Sequence, residues 1–569
     1  MTPKNRALSV LAVTAMIMIC CGPRRSENRR DSYDLIISHG RIIDGTGNPW
    51  FRGEIGIRGD RIAAIGDLGT AEALRRIDAK DRTVSPGFMD MMGTSDTEVL
   101  VDPRCASKIT QGITLMVSGE GYSAGPVNER MISKNKPFFD RFGLRTDWRT
   151  LGEFLDRLEA TPASVNFATF VGSGGLRDYV IGQENRPATK DELAEMESLA
   201  SGAMEQGAFG LSSALMYVPD RFNSTEELIA MAKAAARHRG VYITHQRSEA
   251  NAIDPSLDEV FRIAREAGIR TQIYHLKTMY IQNWGKMPEV IRRISGAREQ
   301  GLDITACVYP YVAASAGLVD LLPPWAREGG FDKVLERLKD PAARERIKQE
   351  IAVDTSEWEN EYFGAGGAQG FIISDVRNPA LQSIAGKRLS AIAQERGRDP
   401  RDTLMDIILE DQSSPSFISF IMDESDVRLA LQQDWASFCT DSGIAAADGP
   451  LSDFLVHPRA YGSFTRILGH YVRGEKIMSL EEAIRKASSL PAQTLGIRDR
   501  GLLREGFFAD IVIFDPEMVI DRATFERPHQ YSTGIDYVFV NGKIVVDQGT
   551  ITEARPGKVL RGPGYSGSR

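Results

Sequence analysis

Cysteine is scarce in this chain: there are five in 569 residues, two of them inside an N-terminal apolar run. The other three, Cys105, Cys307 and Cys439, are far apart, odd in number and in no metal-type spacing. They imply no disulfide framework and no cysteine metal site, and each reads as a small buried apolar residue. No basic block occurs either. The net charge of −8 is spread along the chain, which excludes the electrostatic footprint of a nucleic-acid binder. Long uncharged apolar stretches are confined to residues 7–21, "ALSVLAVTAMIMICC", too short for a comfortable membrane span.

With Lys4 and Arg6 before it and "GPRRSENRRD" after it, that run is patterned as a secretory signal. Cys20 or Cys21 stands where a bacterial lipoprotein carries its lipid, although Met18 and Ile19 replace the small residues usual before that cysteine. The expectation is export to the periplasm or envelope, with residues 1–21 as the signal. Membrane contact is expected only through an N-terminal lipid anchor.

What remains is ordinary globular material, 26% charged and 42% hydrophobic, long enough for one large domain with accessories. Residues 33–83 alternate in short strands broken at Gly and Asp-Gly positions. The same texture returns in "ADIVIFDP" and "YVFVNGKIVVDQG". Segments 32–83 and 500–565 are therefore expected to meet as one small β sandwich around residues 84–499.

That middle alternates strand and helix. "VSPGFMDM", "GITLMVSGE", "VNFATFVG", "AFGLSSAL", "VYITHQ", "RTQIYHL", "LDITACVYPY" and "SFCTDSG" are near-continuous apolar runs, the pattern of strands buried on both faces. Eight such units predict a (β/α)₈ TIM-like barrel. Residues 321–414, charged and helical in texture, read as a lid inserted between the seventh and eighth strands.

Chemistry in such a barrel sits where the strands end. Those ends carry Glu120 after "TLMVSG", His245 in "YITHQRSE", His275 in "QIYHLK" and Asp441 in "FCTDSG". One histidine at a strand end is most often a packed core residue. Two closing consecutive strands, with carboxylates closing two others, would be costly at one mouth unless they shared an ion or a hydrogen-bond network. Glu120, His245 and His275 make a three-ligand set suited to Zn²⁺ with one coordination place open. Asp441 would move the proton of the activated water to a leaving nitrogen. His39, His238, His470 and His529 fit structural roles better.

Longer motifs point the same way. "DLIISHGRIIDGTGNPW", "DPRCASKITQGIT", "GAFGLSSALMYVPDRFNSTEELI", "THQRSE", "HLK", "YPYVAASAGLVDLLPPW", "HPRAYGSFTRILG" and "SSLPAQTLGIRDRGLLREGFFADIVIFDP" follow one another along nearly all of the mature chain. This string resembles the amidohydrolase superfamily, and within it the N-acyl-D-amino-acid deacylases, or D-aminoacylases. The resemblance implies a barrel with a flanking β sandwich and zinc held by a cysteine after strand two and histidines after strands five and six. His245 and His275 match, and Glu120 takes the cysteine's place, as in the Glu-His-His site of the N-acetylglucosamine-6-phosphate deacetylases. Asp441 matches the catalytic aspartate. Arg459 in "HPRAYG" matches the arginine that holds the substrate α-carboxylate. Lys277 and one tyrosine of "YPY", Tyr309 in preference to Tyr311, correspond to residues lining the acyl or side-chain pocket.

The departures are specific. In "VSPGFMDMMGTSD" the two histidines that would anchor a second metal are Met92 and Thr94, and Ser173 in "VGSGGLR" replaces another histidine often found there. The expectation is one Zn²⁺ per chain and hydrolysis of N-acyl amino acids, of D configuration by resemblance. A dipeptide-like or other acylated amine is the alternative substrate, and a catalytically silent binding scaffold the alternative class.

Overall fold

The alternating apolar residues at the two ends of the chain have no face to bury unless the ends meet, and they do. The computed structural model describes residues 32–453 and 455–567; the signal segment expected at residues 1–21 lies outside the described residues. Strands Tyr33–Ile42, Phe51–Arg58, Arg61–Gly66, Ala73–Asp78 and Thr83–Pro86 join Ile511–Phe514, Ile535–Val540, Lys543–Asp547 and Thr550–Ile551 in one hydrogen-bonded sheet, with Ala73–Asp78 branching from Tyr33–Ile42. The seam is the antiparallel pairing of Thr83–Pro86 with Ile511–Phe514, in which Val84 faces Ile513. Leu35, Ile37, Ile55, Ile57, Val84, Ile511, Ile513 and Phe539 form its own buried core.

All eight predicted barrel strands are present: Phe88–Asp90, Ile113–Ser118, Asn166–Thr169 (continued by Val171–Gly172), Gly210–Ala214, Val241–His245, Arg270–Ile273, Ile304–Val308 and Ala436–Phe438. They pair in parallel, in order. The third strand breaks at Phe170, so the barrel is two arcs. The eighth and first strands share no ladder. Side chains close that gap: Asp90 accepts from the Thr440 backbone N–H at 2.9 Å and from Thr440 Oγ1 at 2.6 Å. The fully buried Lys108 ammonium donates to the same carboxylate at 2.9 Å. A buried pair of this kind costs about 3–5 kcal/mol when one partner alone is removed. The Asp90 clasp holds the loop that carries Asp441.

The insertion is of mixed structure. Its helices, including Phe331–Lys339, Pro341–Glu350, Leu389–Arg396 and Pro400–Asp411, pack around a three-stranded antiparallel sheet of Ala313–Gly317, Phe371–Asp375 and Ser416–Phe420. Two of those strands lie just outside residues 321–414. "AASAG" is too small and too uniform to show strand alternation, so only the pairing reveals it. The lid shares a continuous apolar core with the barrel interior, running from Met89, Leu115 and Ile243 to Phe371, Leu404 and Phe417. It therefore roofs the strand ends. Among the described residues, no helix is long and apolar enough to cross a membrane.

Candidate active site

Each expected ligand arrives on its strand end. Glu120 follows the second strand through Gly119, whose φ of 93° suits glycine; a Cβ there would lie 2.5 Å from the Phe170 carbonyl oxygen. His245 is the last residue of the fifth strand. His275 and Asp441 leave the sixth and eighth strands with φ of 31° and 48°. Left-handed backbone on such residues costs about 1–3 kcal/mol each and clusters at working sites.

These turns converge. Glu120 Oε1 lies 3.3 Å from His245 Nδ1 and 3.7 Å from His275 Nε2. The two imidazoles meet edge to face with centroids 4.5 Å apart. One donor atom from each of the three residues falls within 4.8 Å of the others. His245 Nε2 is buried with no hydrogen-bond partner. Two imidazoles and a carboxylate at one strand-end mouth, with His245 Nδ1 and His275 Nε2 both turned toward Glu120, fit a divalent transition metal. Among the described residues the other grouping of this type is Glu424, His470 and Glu475, and Arg428 already ion-pairs with both of its carboxylates.

A fourth residue organises the triad. Glu249, in "THQRSE", is fully buried beneath the histidines, 3.0 Å from His275 Nδ1 and 3.7 Å from His245 Nε2, and ion-paired with Lys277. Burial would raise its pKa, but the Lys277 ammonium and then the imidazoles hold it well below the usual carboxylate range. Lys277 thus sits in the site as expected, neutralising Glu249. Burial also works against the charged form of Glu120, and hydrogen bonds to both histidines outweigh it, lowering its pKa to about 2. Burial and Lys277 oppose a charged His275; Glu249, Asp441 and Glu120 override them and lift it to about 10. His245 is lowered, chiefly by burial. The carboxylates around His275 make this a place that favours positive charge.

Asp441 faces the triad and accepts from the buried Arg459 Nη1 at 2.5 Å. The Arg459 guanidinium lies 4.8 Å over the Tyr309 ring, and its Nε is buried without a partner. Tyr309 therefore backs the site from beneath Arg459, its ring 6.4 Å from His275. Tyr311 belongs elsewhere. Its hydroxyl donates to Asp521 at 3.5 Å and its ring packs on His457, because Pro310 turns the chain between the two tyrosines.

His457, in "HPRAYG", went unassigned in the sequence. Its Nε2 lies 3.1 Å from the Ala313 carbonyl and its Nδ1 3.0 Å from the Arg459 backbone nitrogen. The Arg459 N–H must donate, so Nε2 carries the proton and ties the arginine loop to the first lid strand. Ser173 donates at 2.6 Å to Asp220, a structural bond beside the fourth strand. Met92 is buried in the barrel interior, and Thr94 reaches the rim.

Two cavities meet here. The smaller, 210 Å³, is lined by His245, His275, Lys277, Asp441, Arg459 and the lid. The larger, 510 Å³, is walled by apolar Val127, Met131, Ile132, Phe138 and Trp148. Glu120 and Thr94 line both.

Comparison with known proteins fits this geometry. The chain is 34% identical to a D-aminoacylase of Alcaligenes xylosoxydans xylosoxydans over 94% of its own length and 99% of that protein's. The chain belongs to the D-aminoacylase family. A profile described as "Amidohydrolase family" matches residues 439–546, the stretch from Cys439 through the C-terminal strands. Two solved structures of D-aminoacylase relatives superpose with TM-scores of 0.77, each covering 93% of this chain and 100% of the other. One, 32% identical, is an N-acyl-D-glutamate deacylase from Bordetella bronchiseptica complexed with zinc and a phosphonate mimic of the tetrahedral intermediate. The other, 33% identical, is a D-aminoacylase described by one-metal activation and second-metal attenuation of a binuclear centre. The family shares the barrel and the sheet domain.

Proposed function

We propose that this D-aminoacylase relative hydrolyses the amide bond of N-acyl-D-amino acids, releasing a carboxylate and the free amino acid. It does so with one zinc ion per chain held by Glu120, His245 and His275. The observation that carries this reading is the junction of that donor triad with the Asp441–Arg459 pair in one cavity. The D configuration is supported by the names of the relatives.

Zinc bound there supplies a Lewis acid for the amide carbonyl and an activated water near neutral pH. The protein's own groups do the rest. Asp441, facing the triad, takes the proton of the attacking water and returns it to the leaving nitrogen. Arg459 accepts the substrate α-carboxylate on its planar fork and fills the vacancy at its buried Nε. Because the same guanidinium holds Asp441, the arriving carboxylate competes for it and leaves the aspartate free to take a proton. Glu249, held by Lys277, fixes the His275 ring. The larger cavity, which shares Glu120 with the smaller one and is partly walled by Val127, Met131, Ile132, Phe138 and Trp148, takes the acyl chain.

The screen that tests this uses N-acyl amino acids in both configurations. Turnover of the D series alone is expected, and turnover of the L series alone would contradict it. Arg459→Met should raise KM for N-acyl-D-amino acids roughly 10²-fold, from loss of a charge-assisted pair, and much less for their carboxamides. Equal losses for acids and amides would make Arg459 structural.

The reading also includes export, supported by Lys4, Arg6 and the apolar run of residues 7–21. The mature chain then begins after Cys20 or at Cys21, with that cysteine as lipid acceptor. Intact-mass analysis of protein from the native host's envelope should show the leader removed, with or without an added lipid. The full-length chain recovered from the cytosol would sink this part.

A further inference from the structure

Both cations of the small cavity are already committed, Lys277 to Glu249 and Arg459 to Asp441. The lid adds a charge that is not. Glu361, 3% exposed, opens the short helix Glu361–Gly364 and lines the same cavity as His245, His275 and Asp441. One of its oxygens accepts from Ser419 Oγ, on the lid strand Ser416–Phe420. Among the described residues its other oxygen has no hydrogen-bond partner and the carboxylate no ion pair.

The segment is built to stay in place. The Asn360 side chain accepts from the Phe363 N–H at 3.2 Å and donates to the Val353 carbonyl at 2.8 Å. Glu359, one residue before, accepts from the Glu249 backbone N–H and so pins the lid to the loop beneath the triad. Glu361 is thus a fixed part of the cavity wall. Burial pushes its carboxyl up to about 7; the Asp320 and Glu249 carboxylates add to the rise, against the Ser419 hydrogen bond and the Lys277 ammonium.

Its neighbours describe a slot. Met216, Tyr217 and Met279 give the cavity apolar wall, and the small Ala314 and Ala316 line it as well. An alkyl stem fits against such walls while a charged tip reaches past them. With the α-carboxylate on Arg459, the amino-acid side chain is the part of the substrate that remains in this cavity.

We propose that Glu361, steadied by Ser419, is a specificity-determining residue that receives the ammonium or guanidinium of a basic side chain. The substrate class is N-acylated basic amino acids. The inference rests on the proposed deacylase reading and narrows it. An acidic side chain, such as that taken by the D-glutamate deacylase relative, would bring two carboxylates together here and be rejected.

The test compares N-acetyl-D-lysine with N-acetyl-D-norleucine, which keeps the four-carbon stem and lacks the ammonium, on the zinc-loaded full chain. The kcat/KM ratio, lysine over norleucine, should exceed ten in the wild type and fall to near one in Glu361→Gln. A wild-type ratio at or below one, or a ratio that Glu361→Gln leaves unchanged, overturns the proposal. If neither compound nor any other N-acyl-D-amino acid of the screen is cleaved, the deacylase reading fails, and binding of free D-lysine against D-norleucine decides the role of Glu361 separately. At least tenfold tighter D-lysine binding, abolished in Glu361→Gln, supports it; equal binding of the two sinks it.

Discussion

Asp441→Asn should purify with the metal content of the wild type and turn over N-acyl-D-amino acids roughly 10³-fold more slowly, the usual size of a lost general acid–base. Asp441 stands across the cavity from the donor triad, and its bond is to Arg459, not to either histidine. An amide keeps the shape and still accepts from the guanidinium, so the loop clasped by Asp90 and Thr440 stays put. What the amide cannot do is take a proton from water and hand it on. Measuring kcat and bound zinc on the same preparation checks both halves. Loss of metal in Asp441→Asn would make Asp441 a ligand, and retained turnover would remove it from the chemistry.

His245→Ala and His275→Ala should lose metal and turnover together, with activity down roughly 10⁴-fold or more, because every catalytic role assigned to the ion disappears with it. Among the described residues the cavity offers no other imidazole. Glu249, the nearest other carboxylate, is held by Lys277, and Met92 and Thr94 offer no imidazole from the first strand. Elemental analysis beside a kcat measurement reads the result. Either variant retaining a stoichiometric ion with normal turnover would place the metal elsewhere. Adding zinc in excess should not restore either variant, which separates loss of a ligand from weaker affinity.

Much of this site was legible in the sequence for a physical reason. Strands buried on both faces leave continuous apolar runs, so a polar residue closing such a run stands out. Glu120, His245, His275 and Asp441 were found that way, and the structure brings all four to one mouth. Glu249 was hidden because it follows His245 in a polar loop beside Arg247, where a carboxylate looks solvated. Only the fold shows that it turns inward under the ring of His275. Tyr309 and Tyr311 could not be separated by pattern, since the turn at Pro310 decides which one meets Arg459. His457 was passed over as part of a motif, and its tautomer and tie to Ala313 emerge only from two long-range bonds. The lid hid most. Its sheet pairs segments about a hundred residues apart, and Glu361 sits in a charged stretch that reads as surface until Ser419 is seen beside it.

We propose that one ion, held by Glu120, His245 and His275, suffices because the first strand carries Met92 and Thr94 where a second ion would need imidazoles. The most direct measurement is a zinc titration of the stripped, full-length chain, following bound metal and hydrolysis together. Activity should rise linearly and level off at one equivalent per chain, with no second tight ion taken up on the way. A plateau reached only at two tightly bound equivalents, or full activity before any metal is added, would contradict the account.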